Sequence, residues 1–386
     1  VPPAFVRPIH FNTVNVRQVS PLTTLQMSTS LEDPSSDNKR VANDARAAKL
    51  FHSTPLILSD PLTALLNSDS PTRKRNVYLK LDALQTSGSF KDRGVAHLCQ
   101  TLHSRGTTKL ISSSGGNAGL AVATVGKALG MTVQVIVPET TKPMVLEKLR
   151  GLGANVRIHG VNWNAADVLA RELVEEDDEA EYVSPYENPL LWTGHSTLID
   201  EIVDDLDGVE ESMVGATVVA SVGGGGLLCG ILEGLDRHSL PNTTVIAAET
   251  TGAASFGTAF QKGEPIMLDA IDTIATSLGA LQVSDSALVR AKAHIANGGN
   301  VVSGVCTDAE AIDACVKFAD QHRMLVEPAC GAGLAVLYSD RLRKELFGNG
   351  GGTDSDQNTG PVIIEVCGGS GVNLELLDMW KTQFSL

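Results

Sequence analysis

Residues 216–230 read Ala-Thr-Val-Val-Ala-Ser-Val-Gly-Gly-Gly-Gly-Leu-Leu-Cys-Gly. The first seven form a near-continuous apolar run rather than an alternating one. That is the pattern of a strand covered on both faces, as in a parallel sheet. Four glycines follow, and then an apolar helical start. Without side chains, successive backbone N–H groups at 223–226 can converge on an anion at the helix N-terminus. The stretch predicts a strand, a phosphate-holding loop and a helix. It is not a dinucleotide fingerprint, because the GxGxxG spacing and its downstream acid are missing, and no Walker lysine follows the glycines.

The same alternation extends on both sides. Upstream, strands are predicted at 77–81, 109–111, 133–137 and 155–158, with helices over 94–102, 120–129 and 141–149. Downstream, strands are predicted at 245–249 and 362–366. Strands and helices at this spacing predict an α/β protein with parallel, helix-covered sheets. Between the two series, the acidic stretch 165–181 reads as a helix with a solvated charged face. Residues 348–360 read as a surface insertion, and 1–48, rich in Ser, Thr and Pro, as a disordered or targeting segment.

Composition narrows the function. The chain has 386 residues and a net charge of −15. That charge argues against a nucleic-acid partner. No apolar run approaches the ~20 residues of a membrane helix. Six cysteines, at 99, 229, 306, 315, 330 and 367, lack metal spacing and read as buried free thiols in a reducing, cytoplasmic setting. If the N-terminal segment is a transit peptide, the compartment is instead mitochondrial.

A second loop carries a reactive group. Ser87-Gly88-Ser89-Phe90-Lys91-Asp92-Arg93-Gly94 sets one lysine between an aromatic ring and an arginine, after residues that suit a tight turn. A lysine held this way can form a Schiff base with a carbonyl, and pyridoxal 5'-phosphate is the commonest carbonyl cofactor so used. By itself the octapeptide is also the composition of a solvated loop charge, so its partners decide. Ser113-Ser114-Gly115-Gly116-Asn117-Ala118-Gly119 joins another strand to another helix, with amides and hydroxyls suited to a carboxylate. Cys367 ends the last strand and precedes Gly368-Gly369-Ser370-Gly371, at a place where open α/β sheets set ligand-contacting groups.

With these three junctions, the chain resembles the pyridoxal-phosphate enzymes of fold type II, the tryptophan synthase β-like group. Within them it is most similar to the L-serine dehydratases that also act on L-threonine. SGSFKDRG, SSSGGNAGL, NPLLWTGHSTLIDEI, SVGGGGLLCG, AAETTGAASF, LVEPACGAGLAVL and VCGGSGVNL carry the likeness. The resemblance implies two open parallel-sheet domains with the cofactor in the cleft between them. It implies a large domain of 49–84 plus 188–386 and a small one of 85–187. It further implies that Lys91 carries the cofactor and moves the substrate proton, and that Phe90 stacks on its ring. Asn117 contacts the ring hydroxyl, Gly223, Gly224, Gly225, Gly226 and Leu227 hold the phosphate, and Cys367 faces the ring nitrogen. Ser114, Gly115 and Ala118 meet the substrate carboxylate.

A monovalent cation, potassium, is implied at Gly223, Glu249, Ala253, Ser255, Leu278 and Ala280, where hard oxygen ligands suit it. The resemblance also implies a homodimer, and a catabolic enzyme free of isoleucine feedback, since no regulatory domain follows the last strand. The expected reaction is α,β-elimination of L-serine, and of L-threonine, to a 2-oxo acid and ammonia. A racemase, a threonine synthase, a β-replacing synthase and a non-catalytic amino-acid-binding relative remain open alternatives. Two positions depart from the common pattern. Gly115 stands where Ser or Ala is usual, which removes an acid/base group a racemase would use. Asp92 stands where dehydratases often carry an apolar residue, and is shared with threonine synthases.

Overall fold

A computed structural model describes residues 45–46, 48–69, 74–348 and 359–386. The expectations for residues 1–44 and for most of the 348–360 insertion lie outside the described residues. Among the described residues ten strands run in chain order: β1 (Leu56–Leu58), β2 (Val77–Lys80), β3 (Lys109–Ser112), β4 (Thr132–Val137), β5 (Asn155–Ile158), β6 (Ala180–Tyr182), β7 (Thr217–Ser221), β8 (Thr244–Thr250), β9 (Asn300–Cys306) and β10 (Val362–Glu365). They form a six-stranded sheet, in the order β1-β2-β10-β7-β8-β9, and a four-stranded sheet, in the order β5-β4-β3-β6. Helices connect the parallel strands, as crossover connections require.

The apolar runs become the centre of the larger sheet. Every residue of β2, β7, β8 and β10 is buried. Side chains alternate across that sheet. Val218, Ala220 and Ile363 enter one hydrophobic cluster, while Val219, Val362 and Ile364 enter the other. The smaller sheet has its own second face, where Ile111 and Ile136 pack with Ala166 and Ala170 of the helix Trp163–Glu175.

Register then aligns the chemistry. Lys80 at the end of β2 pairs with Glu365 at the end of β10, and Ile364 pairs with Val219 of β7. The lysine loop, the Cys367 loop and the glycine loop therefore leave the large sheet at one level, at the strand C-termini. In the small sheet Ser112 pairs with Val135, and Ile111 with Tyr182. The loops after β3, β4 and β6 consequently leave that sheet together as well.

Three expectations need correction. The sheets are not wholly parallel, because β1 pairs with β2 antiparallel at the edge. The acidic stretch 165–181 is not one solvated helix. Its helix ends at Glu175 and β6 follows. Within it Asp167 is a structural acceptor, taking hydrogen bonds from Ser113 Oγ at 2.7 Å, Arg171 Nε at 2.8 Å and Tyr182 Oη. β9 was also missed. Its residues mix buried and half-buried positions without a regular alternation and include Ser303 and Gly304, which weakens the apolar pattern.

Candidate active site

The lysine loop is shaped by its neighbours in sequence, each engaged differently. Gly88 adopts φ +87°, a left-handed turn that suits glycine. Ser89 bridges Gly368, Phe90 N–H donates to Cys367 O at 3.3 Å, and Gly369 N–H donates to Gly88 O at 2.8 Å. The loop is thus laced to the Cys367 turn. The helix Lys91–Ser104 starts at the lysine itself, three residues earlier than the spacing predicts. Asp92 folds back, its Oδ2 accepting from Ser87 N–H at 2.8 Å, and burial lifts its carboxyl to about 6.

Arg93 is fully buried and bonds Asp82 at 2.7 Å and Glu201 at 2.8 Å. Gly94 lets the helix Pro189–Asp207 approach. A Cβ there would lie 2.5 Å from His195 Cε1, and one on Gly194 would lie 2.7 Å from Gly94 Cα.

Lys91 alone of these four turns into a cavity of about 790 Å³ that it shares with the glycine loop, Asn117 and Cys367. Its Nζ donates to Pro185 O at 2.6 Å and sits 4.9 Å from the Phe90 ring centroid. Burial brings its amine down to about 8, with the Cys367 sulfur opposing that shift. Phe90 lines the cavity and packs against His195, ring centroids 5.1 Å apart. His195 is wholly buried; burial, then the charges of Lys91 and Arg93, hold its imidazole neutral.

The glycine loop has no space for side chains. A Cβ on Gly224 would lie 2.3 Å from Tyr186 Cγ, and one on Gly226 2.8 Å from Tyr186 O. Gly225, at φ +89°, caps the helix Gly226–Arg237. Gly223 and Leu227 complete the wall. Just before the loop, the buried Ser221 Oγ has no hydrogen-bond partner among the described residues and lines the same cavity. Helix-start amides and an orphaned hydroxyl form a cradle for an anion, within one cavity with a lysine whose amine is lowered to about 8. These residues fit a carbonyl cofactor that carries a phosphate.

Ser114, Gly115 and Ala118 line the cavity beside Asn117. Asn117 begins the helix Asn117–Ala128. Its Nδ2 donates to Glu327 Oε1 at 2.7 Å, and its Oδ1 accepts from Ser370 N–H at 2.9 Å. Glu327 was not singled out from the sequence, although it lies within a quoted motif. It caps the chain into the helix Pro328–Tyr338, and its Oε2 accepts from Gly371 N–H at 3.2 Å. Burial raises its carboxyl above the ordinary range. The sequence clue was an acid followed by proline at the head of an apolar run. Cys367 is buried at the cavity wall. Its hydrogen bond with Cys330, and then burial, push the thiol far up, so it is neutral. All six cysteines are buried and free.

The proposed cation residues divide. Gly223, Leu278 and Ala280 line the cavity, whereas Glu249, Ala253 and Ser255 are buried away from it. Glu249 is no surface carboxylate. It accepts from Phe256 N–H at 2.8 Å and Gly257 N–H at 2.7 Å, and burial lifts it to about 8. Ser255 Oγ, wholly buried, has no partner among the described residues.

Residues 49–351 match the family model described as pyridoxal-phosphate dependent enzyme. The chain belongs to that family. Among these pyridoxal-phosphate dependent enzymes, it is 37% identical to the L-serine dehydratase of Dictyostelium discoideum, over 90% of this chain and 97% of that protein. It is 38% identical to the human L-serine dehydratase/L-threonine deaminase, over 81% and 90% of the two chains. A fungal L-serine ammonia-lyase from Rhizomucor miehei superposes with a TM-score of 0.75 at 33% identity, over 87% of this chain and 99% of that one. The type-II α/β architecture expected from the sequence is the one found.

Proposed function

We propose that this enzyme converts L-serine to pyruvate and ammonia, and L-threonine to 2-oxobutanoate and ammonia, by α,β-elimination. The observation that carries this reading is one cavity holding a lysine whose amine is lowered to about 8, a glycine cradle and a neutral thiol. The named activities of its dehydratase relatives point the same way. Pyridoxal phosphate, when bound, supplies the electron sink that makes the substrate's α-hydrogen acidic.

The chain's residues do the rest. Lys91 carries the cofactor, and its Nζ, released from that duty, takes the α-proton. An amine near 8 exchanges protons readily at neutral pH. Gly223 to Leu227 hold the phosphate, and Asn117 orients the ring through its hydroxyl. Cys367 leaves the ring nitrogen without a carboxylate, so the sink stays weak. That favours prompt loss of the β-hydroxyl over transamination or racemisation. Ser114, Gly115 and Ala118 receive the substrate carboxylate. Potassium is assigned to Gly223, Glu249, Ala253, Ser255, Leu278 and Ala280; the buried carboxylate and the unpartnered Ser255 hydroxyl support that assignment.

The test is a product assay on L-serine and L-threonine, with and without potassium. Pyruvate, 2-oxobutanoate and ammonia are expected, with higher rates in potassium. D-serine, or a substituted alanine in the presence of a nucleophile, as the main product would instead make the protein a racemase or a synthase. Lys91→Ala is expected to abolish both the visible absorbance of the bound cofactor and turnover. Turnover that survives that substitution sinks the mechanism.

A further inference from the structure

Gly115 has a reason that its backbone does not supply. It is not among the glycines with positive φ, so conformation does not demand it. Space does. A Cβ at 115 would lie 2.8 Å from Thr141 Oγ1, 3.0 Å from Thr141 Cγ2 and 3.1 Å from Val137 Cγ1. The juxtaposition follows from the small sheet, where Ser112 and Val135 are paired and the loops after β3 and β4 run side by side. Thr141 closes a turn there, its N–H donating to Pro138 O at 3.0 Å. Its hydroxyl bonds no atom among the described residues. The same residue lines the cavity beside Ser114, Asn117 and Lys91.

A hydroxyl offers one donor and two acceptor sites, and this one faces a cavity with none used inside the protein. Its surroundings favour an anion, because the helix Asn117–Ala128 begins at this wall and presents its positive end. We propose that Thr141 donates its hydroxyl proton to the α-carboxylate of the substrate, from the volume that a side chain at 115 would otherwise fill. This rests on the reading above that the cavity takes a small amino acid. Gly115 and Thr141 then act as one specificity unit: the absent side chain makes room for the hydroxyl on the neighbouring loop.

The experiment compares wild type, Thr141→Val, Thr141→Ser and the double variant Gly115→Ser/Thr141→Ala as holoenzymes. Binding of L-serine is read from the fast absorbance change on mixing, and turnover from 2-oxo acid released. Ethanolamine, which is serine without its carboxylate, is the control ligand. Thr141→Val is expected to weaken L-serine binding by about tenfold or more, the loss of one hydrogen bond to a charged group. Thr141→Ser and the double variant, which returns a hydroxyl from the other loop, are expected to stay within about threefold of wild type. Ethanolamine is expected to bind all four alike.

L-serine binding by Thr141→Val within twofold of wild type overturns the assignment. An equal loss in Thr141→Ser also overturns it, because shape rather than the hydroxyl would then matter. A wild type that binds L-serine in this Thr141-dependent way but releases no 2-oxo acid keeps the assignment and overturns the elimination reading. A wild type that turns over normally while Thr141→Val binds unchanged does the reverse. No absorbance response of wild type to L-serine overturns both.

Discussion

Glu327 Oε1 accepts a 2.7 Å hydrogen bond from Asn117 Nδ2, so the head of a helix packed on the large sheet holds an amide delivered by the small one. The other carboxylate oxygen takes Gly371 N–H at 3.2 Å. Glu327→Ala leaves Gly371 N–H without its acceptor and Asn117 Nδ2 with only its longer 3.4 Å contact to Ser277 Oγ, at about 1 kcal/mol for each hydrogen bond lost. We expect a melting temperature lower by several degrees and a cofactor dissociation constant raised by about tenfold. Glu327→Gln keeps one acceptor but sets an N–H₂ against one of the two donors, and should fall between. Fluorescence titration of the apoprotein with pyridoxal phosphate checks this. Unchanged affinity in the alanine variant would show that Asn117 needs no such support.

The lowered amine of Lys91 has a kinetic consequence. With its ordinary value brought to about 8, the neutral, nucleophilic form is about one in ten at pH 7, against under about one in a thousand for an exposed lysine. Uptake of the cofactor aldehyde by the apoprotein should rise about tenfold from pH 6 to 7 and level off above about pH 8. Stopped-flow absorbance measures it. A rate still climbing steeply between pH 9 and 10 would mean the amine is not depressed.

Gly224→Ala places a methyl 2.3 Å from Tyr186 Cγ, at the root of the ring rather than at its free end. The loop or the tyrosine must move. Cofactor affinity should drop by at least about tenfold with little loss of secondary structure, since the cradle alone is disturbed. Circular dichroism beside the titration separates this from unfolding. Normal affinity would remove the glycine loop from the phosphate role.

Acid sensitivity should trace to Glu201. Burial would raise its carboxyl, but Arg93 and Lys80 override that and hold it at about 2. Its stabilisation is therefore complete above the unfolded value of about 4.5 and is lost as pH falls from there toward 2. The loss is on the order of 3 kcal/mol across that window. Urea denaturation at stepped pH should show it. Glu201→Gln should be less stable at pH 7 and show a shallower decline. A wild-type curve flat from pH 5 to 3 would contradict the assignment.

How much of this could be read from the residues alone varies with the kind of signal. The buried strands β7, β8 and β10 were legible because both faces are covered and the run is unbroken. β6, Ala-Glu-Tyr, was not, because three residues at a sheet edge carry too little pattern. The glycine loop and Cys367 could be placed on the cavity because each follows directly on a strand end, and Lys91 because its turn leads from β2 into a helix that starts at the lysine. Glu327 and Thr141 could not. Their partners are residues 210 positions away in one case and on a neighbouring strand's loop in the other, and only pairing of the strands brings them together. Glu249 was placed on a strand end, but its burial depends on the helix Ser255–Lys262 folding back over it.

Four successive residues, Lys91 to Gly94, face the cavity, the preceding turn, an ion network and a neighbouring helix in turn. Such a segment has almost no freedom to drift, since each neighbour of the lysine answers to a different part of the molecule. Altering the reaction by changing residues beside the lysine would therefore cost folding before it gained chemistry. On the wall carried by the small sheet Asn117 is tied to Glu327 and Ser370, but the Thr141 hydroxyl beside it is not. Adaptation of this scaffold to new substrates, in the laboratory or over time, should leave its marks there.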